Sequence, residues 1–174
     1  QRAALIALDQ MRSATLVKGE VLPLLATTDA ALRDAALDVI SRRHGWAGET
    51  LTLFRNWLSS DLTDAQSEVL RRFLAAQASD PAIQAFIAEA AVQAELSSNH
   101  RRVLLEAVDT ADLAEWPAIW TPLVESLLAG DDTNLKLQAT RIVGSRGLTS
   151  FDAALARVFD SDDLSPAVRI EALA

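Results

Sequence analysis

Apolar residues recur along this chain in one local figure, an anchor followed three and four positions later by two more. The figure occurs at Val21/Leu24/Leu25, Phe54/Trp57/Leu58, Ile83/Phe86/Ile87, Val124/Leu127/Leu128 and Leu155/Val158/Phe159, with first members 33, 29, 41 and 31 residues apart. Positions three and four apart are neighbours on a 3.6-residue turn, so each triplet predicts the buried stripe of one helix. A recurrence of that length predicts a stack of small supersecondary units.

After four of the five triplets comes a polar turn carrying Asp: Thr28-Asp29, Ser60-Asp61, Gly130-Asp131-Asp132 and Asp160-Ser161-Asp162-Asp163. Ser, Thr and Asp in such turns accept the orphan N–H groups of a following helix, so a second helix is expected after each first one. The second helices share a phrase of their own: Leu32-Arg33-Asp34-Ala35-Ala36, Leu135-Lys136-Leu137-Gln138-Ala139 and Val168-Arg169-Ile170-Glu171-Ala172. Two weaker copies fill the gap, around Ala65 to Ala78 and Asn99 to Val108. Gln1-Arg2-Ala3-Ala4-Leu5 aligns with the stretch Arg33 to Leu37 and opens the chain on a second helix. Five first helices and six second helices are therefore predicted, in a single array over 1–174 excised from a longer multidomain protein.

Punctuation agrees with this division. Pro23, Pro81 and Pro117 fall in the early turns of first helices, where a missing N–H is tolerated, and Pro166 opens the last second helix. Pro122 lies inside the segment Pro117 to Ala129 and is expected to kink that helix or to move its start. Gly45, Gly144 and Gly147 are expected at helix ends. A unit of two helices cannot bury its apolar stripe alone, so each must be sealed by its neighbours. Cut ends then leave Ile6, Leu8 and Leu173 as exposed core, a source of weak self-association in a fragment that is otherwise a monomer.

Composition narrows the possible chemistry. The chain is half apolar, chiefly Ala and Leu, with no Tyr, which favours helix over strand. A net charge of −8 without a basic block argues against a nucleic-acid partner, since phosphate binding needs a clustered positive field. There is no cysteine, so disulfides, thiolate metal sites and CxxCH haem attachment are absent. No apolar run is long enough for membrane insertion, and no signal peptide is apparent.

A two-helix repeat with Val/Leu-Arg/Lys-x-x-Ala in its second helix and Asp in the preceding turn resembles the HEAT family, including its PBS-lyase-like bacterial members. The resemblance runs over essentially the whole chain and is sharpest from Asp162 to Leu173. The resemblance implies an all-α, right-handed α-solenoid of about five HEAT-like helix pairs, in which the second helices line a concave face. The opening Arg2-Ala3-Ala4-Leu5-Ile6-Ala7-Leu8-Asp9-Gln10-Met11, with Val21-Leu22-Pro23-Leu24-Leu25, is similar to the middle repeat region of large planctomycete-type proteins. There, a sugar-dehydrogenase-like propeller precedes the repeats and a cytochrome c module follows them. That resemblance implies an exported parent protein, and neither flanking module lies in these residues.

No family catalytic residue carries over, and the residues themselves supply no enzyme. His44 and His100 are too far apart in sequence for a metal site. No G-x-S-x-G elbow, S-x-x-K motif or glycine-rich phosphate loop occurs. The paired acids Asp131-Asp132 and Asp162-Asp163 fall where caps are needed, so capping outweighs a cation site or carboxylate dyad. Asp29 with Arg33 and Asp132 with Lys136 are expected to form an inter-repeat ladder of acid–base contacts. Arg42-Arg43, Arg71-Arg72 and Arg101-Arg102 climb diagonally over successive second helices and are candidate partner-binding residues, although solvated faces account for them more readily because adjacent helical residues point apart. Trp57 and Trp120 are expected in the core, and Trp46 and Trp116 as candidate partner anchors. The expected function is a non-catalytic protein-interaction or inter-domain scaffold without cofactor. Its alternative is an accessory segment of an exported oxidoreductase whose active site lies elsewhere.

Overall fold

A computed structural model describes residues 2–10, 16–43, 46–161 and 166–172. Those residues are all-α, with no strand among them. The helices are α1 (Arg2–Gln10), α2 (Lys18–Val21), α3 (Ala30–Ser41), α4 (Ala47–Leu58), α5 (Asp64–Ala76), α6 (Pro81–Ala91), α7 (Ser98–Thr110), α8 (Thr121–Ala129), α9 (Thr133–Ser145), α10 (Asp152–Asp160) and α11 (Pro166–Glu171), with 3-10 turns at Leu22–Ala26, Ala118–Trp120 and Thr149–Phe151.

Local chemistry explains most boundaries. Asp29 accepts the Leu32 N–H at the start of α3, and Asp132 accepts those of Asn134 and Leu135 at the start of α9. Each such cap is worth about 1 kcal/mol. Before α5 the cap is Thr63, not Ser60 or Asp61: its hydroxyl accepts the Gln66 N–H while Gln66 Oε1 accepts the Thr63 N–H. A reciprocal pair satisfies two orphan donors, which a lone Asp two residues earlier cannot do. Helix α9 ends in a Schellman arrangement, where the Gly147 N–H reaches the Gly144 carbonyl and the Leu148 N–H reaches that of Val143. Gly147 adopts φ +59, a backbone conformation open to Gly and costly for other residues, whereas Gly144 lies within the helix. Gly45 and His44, like Asp162, Asp163 and Leu173, fall outside the described residues.

Two expected helices are divided. Val21, Leu24 and Leu25 do not share one α-helix: α2 runs for a single turn and hands over to the 3-10 turn Leu22–Ala26, with Pro23 in its first positions. Pro23 carries no N–H to continue the α ladder, so the tighter winding takes over. In the fourth unit Pro117 precedes the 3-10 turn Ala118–Trp120, and Pro122 sits in the first turn of α8. Of the two expectations for Pro122, the shifted start is the one observed.

The odd-numbered helices pack in succession, α1 on α3, α3 on α5, α5 on α7, α7 on α9 and α9 on α11. In the other series α4 packs on α6, α6 on the turn Ala118–Trp120, and α8 on α10. Contacts between the two series join α6 to α7, α8 to α9 and α10 to α11. The triplets supply the core: Phe54, Trp57, Leu58, Ile83, Phe86, Ile87, Val124, Leu127 and Leu128 are buried, as are Val69, Leu70, Phe73, Val103, Leu104 and Ala107 from the weaker copies. In the last triplet only Val158 is fully buried, while Leu155 and Phe159 are half-buried. Phe54 meets Phe73 edge-on at 5.3 Å and Phe86 at 6.5 Å, so one ring joins α4 to both α5 and α6.

Candidate interaction surfaces

Three basic residues near the starts of second helices reach backbone carbonyls of the segment before them. Arg33 donates to the Thr27 carbonyl at 2.9 Å, Arg101 to those of Ala91 and Gln93 at 3.1 and 2.7 Å, and Arg169 to that of Phe159 at 2.8 Å. In each case the acceptor is at the end of the preceding first helix or just past it. Carbonyls there have no intrahelical donor and carry the negative pole of the macrodipole, so a guanidinium is a better match for them than for an already hydrogen-bonded capping carboxylate. At Arg33, Arg101 and Arg169 the rungs are thus cation to carbonyl, while Asp29 accepts a backbone N–H and Asp132 accepts two and also feels the Arg101 charge of the adjacent unit. Arg101, read in the sequence as one of a surface pair, belongs to this ladder, four residues after its cap Ser97 as Arg33 is after Asp29.

A second set of contacts runs between successive odd-numbered helices. Gln77 donates to the Ser41 carbonyl, Gln138 to that of Arg102, and Arg146 to those of Val108, Asp109 and Ala111. Arg146 closes the end of α7 with one nitrogen, and nothing in the apolar triplets signals it. Asp132 also serves the array: the Ser98 hydroxyl, then the Leu135 N–H, hold its carboxyl below the usual carboxylate range. Lys18 holds Glu49 down in the same way across the first two units.

All six paired arginines are engaged within the chain. Arg43 bonds Asp9 at 2.7 Å and stacks on Trp46 at 5.1 Å, and Arg42 lies 3.3 Å from Asp9. Arg71 pairs with Glu68, Arg72 with Asp34 at 2.6 Å, and Arg102 with Asn99 at 2.7 Å. Arg42 and Arg102 remain exposed while the other four are half-buried. Trp46 is half-buried at the start of α4 under Arg43. Trp116, also half-buried, donates to the Thr121 hydroxyl and meets the Trp120 ring edge-on at 5.5 Å. Trp57 and Trp120 are core, and the Trp120 N–H reaches the Gln84 carbonyl at 3.0 Å.

No group of three or more metal-ligating side chains occurs among the described residues. His100 is buried in the first turn of α7. No helix among the described residues is long and apolar enough to cross a membrane. The concave features are open grooves. One of about 650 Å³ lies between α8 and α10 and is reached by Lys136, and a smaller one of about 330 Å³ lies between the ends of α4 and α6. No protein-family model, curated protein or solved structure matches the chain.

Proposed function

We propose that the chain is a non-catalytic interaction module, a right-handed α-solenoid of about five HEAT-like helix pairs that holds a protein or a neighbouring domain against its second helices. The observation that carries this reading is the span of its hydrogen bonds. Among the described residues, every side-chain bond reaching beyond ten residues spans between 31 and 38. A globule with one shared centre would mix short and very long spans. A uniform span of about one repeat supports a quasi-one-dimensional stack, in which each unit is sealed by its neighbours. At about 10 Å per packed helix such a stack is some 50–60 Å long, and its second helices offer one continuous face.

Photo-crosslinkers placed in the natural host test the assignment. Exposed Asp38, Arg102 and Arg141 report on the second helices, and exposed Thr52 and Glu89 on the first helices. Protein adducts are expected from the former set and not from the latter. Adducts from neither set, or equal adducts from both, would overturn the reading.

A further inference from the structure

Lys136 departs from the ladder to which its position belongs. It stands four residues after its cap, as Arg33 and Arg101 do, yet it bonds no carbonyl of the preceding helix. Arg157, exposed on α10, likewise has no hydrogen bond, ion pair or ring contact among the described residues. Apart from these two, Arg2 alone among the described basic residues lacks such a partner, and Arg2 faces a groove shared with Asp34 and Asp38. Lys136 and Arg157 line one groove, the 650 Å³ cleft between α8 and α10. Its floor includes Leu128, Phe151 and Val158, all buried, and one acid, Glu125, lies on its wall.

We infer that this groove binds an acidic, apolar segment of a partner protein, with a carboxylate between Lys136 and Arg157 and an aliphatic side chain against Ala153 and Ala154. In a chain of charge −8 whose other described cations, Arg2 apart, are spent internally, these two over an apolar floor make a local positive site. A carboxylate there gains charge-assisted bonds in a partly dehydrated setting, where they are stronger than in open water. The volume lies within the range of side-chain and small-ligand pockets. Two cations beside Glu125 do not make the extended positive field that a nucleic-acid strand requires. The groove lies between the first helices α8 and α10, with Lys136 reaching it from α9, so it stands or falls separately from the residues tested above.

The test is amide NMR on the labelled chain, with three probes: a blocked heptapeptide alternating glutamate and leucine, its glutamine counterpart, and inorganic phosphate. The glutamate peptide is expected to shift the amides of Leu128, Ser150, Ala154 and Val158. The double variant Lys136→Gln/Arg157→Gln, and separately the glutamine peptide, should each weaken binding by about tenfold or more. Neither substituted side chain has a partner to lose, so the variant spectrum should otherwise keep its dispersion. Absent shifts, shifts elsewhere, equal binding of the glutamine peptide or unchanged affinity in the double variant would each overturn the inference. Phosphate matching the glutamate peptide would also overturn it, because a bare anion would then suffice.

Discussion

A single side-chain choice recurs through the array with a consistent purpose. A cation four residues into a second helix reaches back to the open carbonyls of the helix before it, as Arg33, Arg101 and Arg169 do. Arg169 also stacks on Phe159 at 5.6 Å, whereas Arg157, on α10 of the same unit, is exposed and without a partner among the described residues. One such bond is worth about 1 kcal/mol, or roughly 2–4 °C in a domain of this size. Arg169→Ala should therefore lower the melting temperature by that amount, while Arg157→Ala should leave it within about 0.5 kcal/mol of the parent. Equal effects would remove the ladder. The recurrence of Arg33, Lys136 and Arg169 was legible in the sequence, but the acceptors of Arg33 and Arg169 were not, because a backbone carbonyl leaves no residue type to read. For the same reason neither the ladder role of Arg101 nor the three carbonyls met by Arg146 is marked in the sequence.

At the scale of elements, the apolar triplets locate helices better than they describe them. The second, third and fourth triplets are buried throughout, and α5 and α7 fall on the two stretches expected from the weaker copies. The first triplet misleads because Pro23 turns its helix into one α turn and a 3-10 turn, which preserves the burial of Val21 and Leu25 and leaves Leu24 half-exposed. The last is loosely covered. Phe54→Ala, which removes a ring shared by three helices, should cost about 3–5 kcal/mol in urea unfolding, and Leu155→Ala at the matching position of the last unit should cost less than half as much. A comparable loss at both sites would mean that the last unit is as tightly sealed as the second. The division into two series was legible because caps and prolines are punctuation with a mechanism, while groove shape depends on how neighbouring helices meet.

For the whole molecule, the organising claim is that stability passes from unit to unit and has no centre. The uniform span of the hydrogen bonds and the succession of odd-helix contacts both follow from it. Surface charge is the least legible feature at this scale, since all six paired arginines make contacts within the chain, whereas Lys136 and Arg157 have no partner among the described residues. Hydrogen exchange measured by residue in a Val158→Ala variant tests the claim most directly, because the lesion lies in one unit near one end. The array account predicts faster exchange in α8 to α11 with α3 to α5 unchanged. A uniform loss of protection along the chain would contradict it.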